Sequence, residues 1–73
     1  MAVVLVVDDE LNQRSILKTI LSAEGYETHV ASSGEEALKI MRSFHPDVVL
    51  TDLKMEGMDG IELMEKIKSD ENS

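Results

Sequence analysis

Val3-Val4-Leu5-Val6-Val7-Asp8-Asp9-Glu10 decides the fold class. An unbroken apolar run this short and this rich in β-branched residues does not make a buried helix. It matches a strand covered on both faces, as in a parallel sheet. Acids end it at once. Asp47-Val48-Val49-Leu50-Thr51-Asp52 has the same build, an apolar stretch closed by an aspartate, and is read as a second buried strand. Tyr26-Glu27-Thr28-His29-Val30-Ala31 is a third strand candidate, and its polarity points to a sheet edge.

Helical spacing fills the intervals. From Glu10 to Glu24, apolar residues recur at Leu17, Ile20 and Leu21, with Leu11 and Ile16 nearby. Gly25 stands where a helix end takes a left-handed residue. Ser33-Gly34-Glu35-Glu36 has the form of a capping box, with Ser33 as N-cap and Glu36 three residues on. Ala37, Leu38, Met41 and Phe44 are expected on the core face of the helix that follows, and Pro46 bars its continuation. Leu53 to Met58 reads as a loop containing Gly57. Asp59 is expected to cap a last helix with Glu62 at its third position and Ile61, Met64 and Ile67 facing the core. The polar tail Ser69 to Ser73 is expected to fray. The order β-α-β-α-β-α predicts an α/β fold with a parallel sheet and right-handed crossovers, in one small domain over residues 1–73.

Composition narrows the function. Seven basic side chains against fifteen acidic ones give a net charge of −8. Direct nucleic-acid binding needs lysine and arginine to replace counterions on phosphate, so it is not expected of this segment, nor is binding to an anionic membrane. No apolar run approaches the ~20 residues of a membrane span. Met1 to Val7 lacks the basic flank of a signal peptide. The absence of cysteine excludes a disulfide framework and a thiolate metal site. A soluble, cytoplasmic protein is expected.

Asp8 and Asp9 follow the first strand and Asp52 ends the third. In a parallel sheet the C-terminal strand ends share one edge, so the three carboxylates converge if those strands are neighbours. That edge is where open α/β sheets bind ligands. Converging carboxylates repel one another, and Mg2+ relieves this. It is a hard cation that takes one or two protein carboxylates, a phosphate and several waters. A carboxylate held beside it is placed to attack phosphorus and become an acyl phosphate. The plainer reading is that Asp8, Asp9 and Glu10 favour the positive end of the following helix and that Asp52 caps a turn.

Val4-Leu5-Val6-Val7-Asp8-Asp9-Glu10 resembles the first strand and acidic pair of the receiver domains of two-component response regulators. Asp47-Val48-Val49-Leu50-Thr51-Asp52-Leu53-Lys54-Met55-Glu56-Gly57-Met58-Asp59-Gly60 resembles their phosphoacceptor strand and loop, and Ser33-Gly34-Glu35-Glu36-Ala37-Leu38 the start of their second helix. The resemblance covers the whole chain. It implies a flavodoxin-like fold with strands in the order 2-1-3, ending after the third helix where the family continues to five strands. By position it implies that Asp52 is the phosphoryl acceptor and that Asp9 ligates Mg2+ directly. Asp8 would act beside it through water, and the backbone carbonyl of Lys54 would be a further ligand. It implies a histidine kinase as donor and an output domain, often DNA-binding, as target. The module would signal rather than act as an enzyme.

Two departures from the family pattern matter. Glu56 replaces a proline that stiffens the loop. The serine or threonine of a fourth strand and the lysine of a fifth, which hold the phosphoryl oxygens in the family, have no counterpart in residues 1–73. Phosphorylation of this stretch alone is therefore expected to be impaired. The third strand is expected to present an open edge and to promote self-association. A Mg2+-dependent phosphatase or phosphotransferase with an aspartyl nucleophile is the competing enzyme reading, and a non-phosphorylated interaction domain is a third. Haloacid-dehalogenase-type enzymes carry an Asp-x-Asp pair after the first strand, and the adjacent Asp8 and Asp9 do not match it. His29 and His45 are read as surface or strand-edge residues, and Met41, Met55, Met58 and Met64 as packing.

Overall fold

A computed structural model describes the backbone of residues 2–52 and 57–71 and the side chains of 2–52 and 57–69. Its elements are β1 (Val3–Val7), α1 (Leu11–Ala23), β2 (Glu27–Ala31), α2 (Gly34–Met41), β3 (Val48–Thr51) and α3 (Gly60–Glu71). The sheet order is β2-β1-β3, with both pairings parallel. This is the expected three-stranded flavodoxin-like arrangement. β1 lies in the centre, and Val4, Leu5, Val6 and Val7 are all buried, which accounts for its uniformly apolar sequence.

The register is held at both ends of the strands. At the amino end, the Asp47 amide donates to the Val3 carbonyl at 2.8 Å. The Asp47 carboxylate in turn accepts from the Val3 amide at 2.7 Å. At the carboxyl end, Asp8 N–H donates to Ala31 O and Asp52 N–H to Val7 O, each at 3.1 Å. These last two bonds carry the ladder past the strands and fix the backbone at the acids themselves.

Alternation along β1 sends Leu5 and Val7 to one face and Val4 and Val6 to the other. The first face carries the core. Leu5, Val7, Ala31, Ala37 and Leu63 form a buried cluster, with Leu38, Ile40, Met41, Val49, Met58 and Ile67 packed around it. α2 lies against β1, β2 and α3, and α1 against β1 and β2. Leu63 is fully buried, and burying a leucine to this extent stabilises by about 1.5–3 kcal/mol.

Local signals in the sequence set the helix ends. α1 stops at Gly25, whose φ is +94°. The Tyr26 amide returns to Leu21 O and the Gly25 amide to Ser22 O, each at 3.1 Å; this is the Schellman closure. Ser33 Oγ accepts from the Glu36 amide at 3.1 Å. The reciprocal half of the capping box is displaced by one residue, because the Glu36 carboxylate bonds the amide and hydroxyl of Ser32 rather than the Ser33 amide. Asp59 Oδ1 caps α3 through the Glu62 amide at 2.8 Å.

Several expectations are corrected. β3 is not a buried strand, since Val48 and Leu50 are exposed: it is an edge of the described sheet. α1 has no fully buried residue. Leu17 and Leu21 are half-buried, whereas Leu11, Ile16 and Ile20 face outward. Phe44 lies beyond the end of α2 and stacks on His29 of β2, with ring centroids 4.4 Å apart. On α3, Leu63 and Ile67 face the core while Ile61 and Met64 are exposed. α3 has two adjacent apolar stripes, and only one of them can lie over β1. The helix also continues through Ser69 to Glu71 instead of fraying there. Tyr26 precedes β2, its amide spent on closing α1. Met55, Glu56 and residues 72–73 lie outside the described residues.

Candidate functional site

The acids sit where parallel strands end and turn toward helices. Asp8 follows β1 directly and is buried, with 7% of its surface exposed. Its Oδ1 accepts from the Glu10 amide at 2.9 Å, which closes a tight turn of the Asx kind. Its carbonyl accepts from Arg14 Nη1 at 2.7 Å. Asp9 and Asp52 are exposed. Each of Asp8, Asp9 and Asp52 offers a carboxylate oxygen, and these oxygens all lie within 4.8 Å of one another.

Register explains the convergence. Val7 pairs with Thr51, so the residue after each strand reaches the same edge. Nothing near Asp52 in sequence prepares this, and only the direct β1–β3 pairing does. The acids Asp8, Asp9 and Glu10 do stand at the positive end of α1, as the plainer reading has it, but they do not cap it. Glu10 is the N-cap residue of α1, yet no side chain caps that helix. Asp8 bonds an amide that precedes the helix, so its carboxylate is not spent on capping.

The cleft beside the acids has a volume of about 320 Å³ and is lined by Val6, Val7, Asp8, Gln13, Leu17, Leu50, Thr51 and Asp52. Gln13 and Arg14 escaped the sequence reading. The available signal was their place on the first turn of α1, which directs them back toward the residues that precede the helix.

The donor set suits a small hard cation. Magnesium takes oxygens at about 2.1 Å, so adjacent ligands lie about 3 Å apart and opposite ones about 4.2 Å apart. Three carboxylate oxygens within 4.8 Å match that shell after a small inward adjustment or with one of them acting through water. All the donors are oxygens, and none is a thiolate or imidazole, which favours magnesium over zinc or copper.

The family model for the response regulator receiver domain matches residues 4–73. The chain belongs to this family. Among curated relatives of this receiver is the regulatory protein AtoC of Escherichia coli (strain K12). It is 46% identical over 68 residues, which span 93% of the chain and 15% of that protein. Another is the sporulation initiation phosphotransferase F of Bacillus subtilis (strain 168), 44% identical over 70 residues, which span 94% of the chain and 56% of that protein. The receiver thus spans little more than half, or far less, of the relatives it matches.

Solved structures agree. The response regulator TrrA of Thermotoga maritima, crystallised in complex with Mg(2+)-BeF, superposes with a TM-score of 0.91 at 44% identity, covering 99% of the receiver and 63% of that chain. The histidine kinase ThkA in complex with TrrA gives a TM-score of 0.87 at 46% identity, covering 94% and 60%. Receiver domains are signalling modules of two-component systems, and this chain has their fold and an acidic cluster at the expected edge. The Lys54 carbonyl, the remaining expected ligand, lies outside the described residues. Among the described residues, no helix is long and apolar enough to cross a membrane.

Proposed function

We propose that residues 1–73 are the amino-terminal, phosphoacceptor portion of a receiver domain, in which Asp52 takes a phosphoryl group from a histidine kinase. The observation that carries this reading is the convergence of the Asp8, Asp9 and Asp52 oxygens within 4.8 Å at the carboxyl edge of the sheet. Asp9 and Asp52 would hold Mg2+ directly, Asp8 through water, and the Lys54 carbonyl would complete the protein ligands. When bound, the ion supplies neutralisation of charge on the transferring phosphoryl group.

The protein's own part is positioning. A carboxylate oxygen of Asp52 attacks phosphorus in line, the bond to the donor imidazole breaks, and an acyl phosphate remains on Asp52. Exposure of Asp52 leaves the acceptor open to a macromolecular donor. The module would transmit this modification and would not turn over a substrate. Its target would be an output domain, commonly on the same chain and transcriptional. The 15% share of AtoC that this chain spans accords with a receiver joined to other domains. The acidic balance leaves nucleic-acid contact to that output domain, and the setting would be the cytoplasm. For the 73-residue stretch alone, phosphorylation would be weak, because the phosphoryl-binding serine or threonine and lysine of the family come from later strands. The open β3 edge would also promote self-association of this stretch.

Incubation with acetyl phosphate and magnesium, followed by mass spectrometry, tests the reading. A small, base-labile, magnesium-dependent mass increase is expected, and it should vanish in Asp52→Asn. Phosphate release without labelling would instead favour an aspartyl phosphatase. Failure to bind magnesium would refute the assignment.

A further inference from the structure

We infer that Arg14 is a positioning residue for the acidic site. It would hold the Asp8–Asp9 turn in its cation-binding geometry without touching the cation or pairing with the carboxylates. The inference rests on the reading of Asp8, Asp9 and Asp52 as a magnesium site.

The turn after β1 is held in three ways. The Asp8 amide is tied to Ala31 O of β2 at 3.1 Å. Asp8 Oδ1 is tied to the Glu10 amide at 2.9 Å. The Asp8 carbonyl is tied to Arg14 Nη1 at 2.7 Å. The first two bonds fix the end of the strand and the Asp8 side chain. The third fixes the peptide plane between Asp8 and Asp9, and so the direction in which the Asp9 side chain leaves the backbone. Asp9 is exposed and its carboxylate accepts no hydrogen bond among the described residues, so its aim depends on that plane.

An arginine this close to an acidic cluster would ordinarily be read as a counter-charge. Its contacts point elsewhere. Among the described residues no carboxylate lies within ion-pair distance of Arg14, and its short bond goes to a carbonyl. Arg14 is half-buried on the first turn of α1, and its own amide bonds the Glu10 carbonyl at 3.1 Å. It therefore joins the start of the helix to the end of the strand across the turn that carries both acids. A charge-assisted bond of this length is stronger than an ordinary amide contact. Outer partners that orient metal ligands typically matter 10–100-fold in affinity.

The positioning and counter-charge roles predict opposite signs. A counter-charge competes with the cation, so its removal strengthens magnesium binding. A positioning residue weakens binding when removed. Magnesium titration of the 73-residue chain by NMR should show about a tenfold weaker Kd in Arg14→Met. Arg14→Lys keeps one charged donor and should recover most of the loss. In the magnesium-free protein, hydrogen exchange at the Glu10 amide should accelerate in Arg14→Met while the Leu5 and Val7 amides keep their protection; a purely structural role would accelerate all three. Unchanged or tighter binding in Arg14→Met, with the wild type binding normally, would overturn the inference and leave the acidic site standing. No binding by the wild type would remove the site and the inference together. Loss of Leu5 and Val7 protection in Arg14→Lys as well would also overturn it.

Discussion

Substituting Asp9 by asparagine should stabilise the magnesium-free protein and abolish its stabilisation by magnesium. Asp9 is the clean perturbation of the acidic cluster. Asp8 Oδ1 holds the Glu10 amide, and Asp52 has an interaction of its own, whereas the Asp9 carboxylate is exposed and accepts no hydrogen bond among the described residues. Its oxygen lies within 4.8 Å of those of Asp8 and Asp52. At that separation, with water-like screening for exposed groups, each pair of charges repels by about 0.9 kcal/mol. A Debye length of about 10 Å at 0.1 M salt reduces this to roughly 0.5 kcal/mol. Two pairs vanish in Asp9→Asn, a gain of about 1 kcal/mol. With a urea m-value of about 1 kcal/mol/M for a protein this small, the midpoint should rise by about 1 M in EDTA. Magnesium at a hundredfold excess over its Kd should then stabilise the wild type by about 2.7 kcal/mol and the variant hardly at all, so that the order of stability reverses. Urea titrations followed by circular dichroism, with EDTA and with magnesium, measure both effects. A lower midpoint for Asp9→Asn in EDTA would refute the reasoning, because it would mean that the carboxylate supports the turn instead of straining it.

Three further outcomes follow from the packing. Leu63→Ala should cost about 2–5 kcal/mol, a large share of the roughly 4–11 kcal/mol available to a chain of this length, while Met64→Ala on the exposed stripe should stay within about 0.5 kcal/mol; thermal denaturation separates them. Gly34→Ala should destabilise by about 1–3 kcal/mol despite alanine's better helix propensity, because its Cβ would sit 2.8 Å from Met58 Sδ and 3.0 Å from Met58 Cβ, and urea denaturation measures it. Leu50→Lys, placing a charge on the exposed β3 edge, should shift the 73-residue chain toward monomer, read by size-exclusion chromatography with light scattering; a wild type that is monomeric at all concentrations would sink the self-association.

Much of the fold could be read from the sequence because it is encoded within a few residues. The β-branched run Val3–Val7, the left-handed Gly25 and the caps at Ser33 and Asp59 each act over less than two turns of chain. All of them sit in the structure as read, apart from the Glu36 carboxylate, which chooses Ser32. The family motifs named the acids of the site by the same short-range logic. The errors arose where a residue's fate depends on a distant partner. Ile61 and Met64 have the spacing of a core face as plainly as Leu63 and Ile67, and periodicity cannot tell which stripe will meet β1. Val48 and Leu50 are apolar enough for a buried strand, but burial depends on what lies beside β3.

The acidic site divides in the same way. The sequence by itself determined that Asp8 and Asp9 end one strand and Asp52 another, since apolar runs stopped by acids mark those ends. Only the tertiary structure decided that the three meet. Parallel pairing of β1 directly with β3 sets Val7 opposite Thr51, and that register brings the Asp52 oxygen within reach of the other two. Tertiary structure also decided that Arg14 bonds a carbonyl rather than a carboxylate, because the turn presents the Asp8 peptide group, and not its side chain, to the first turn of α1.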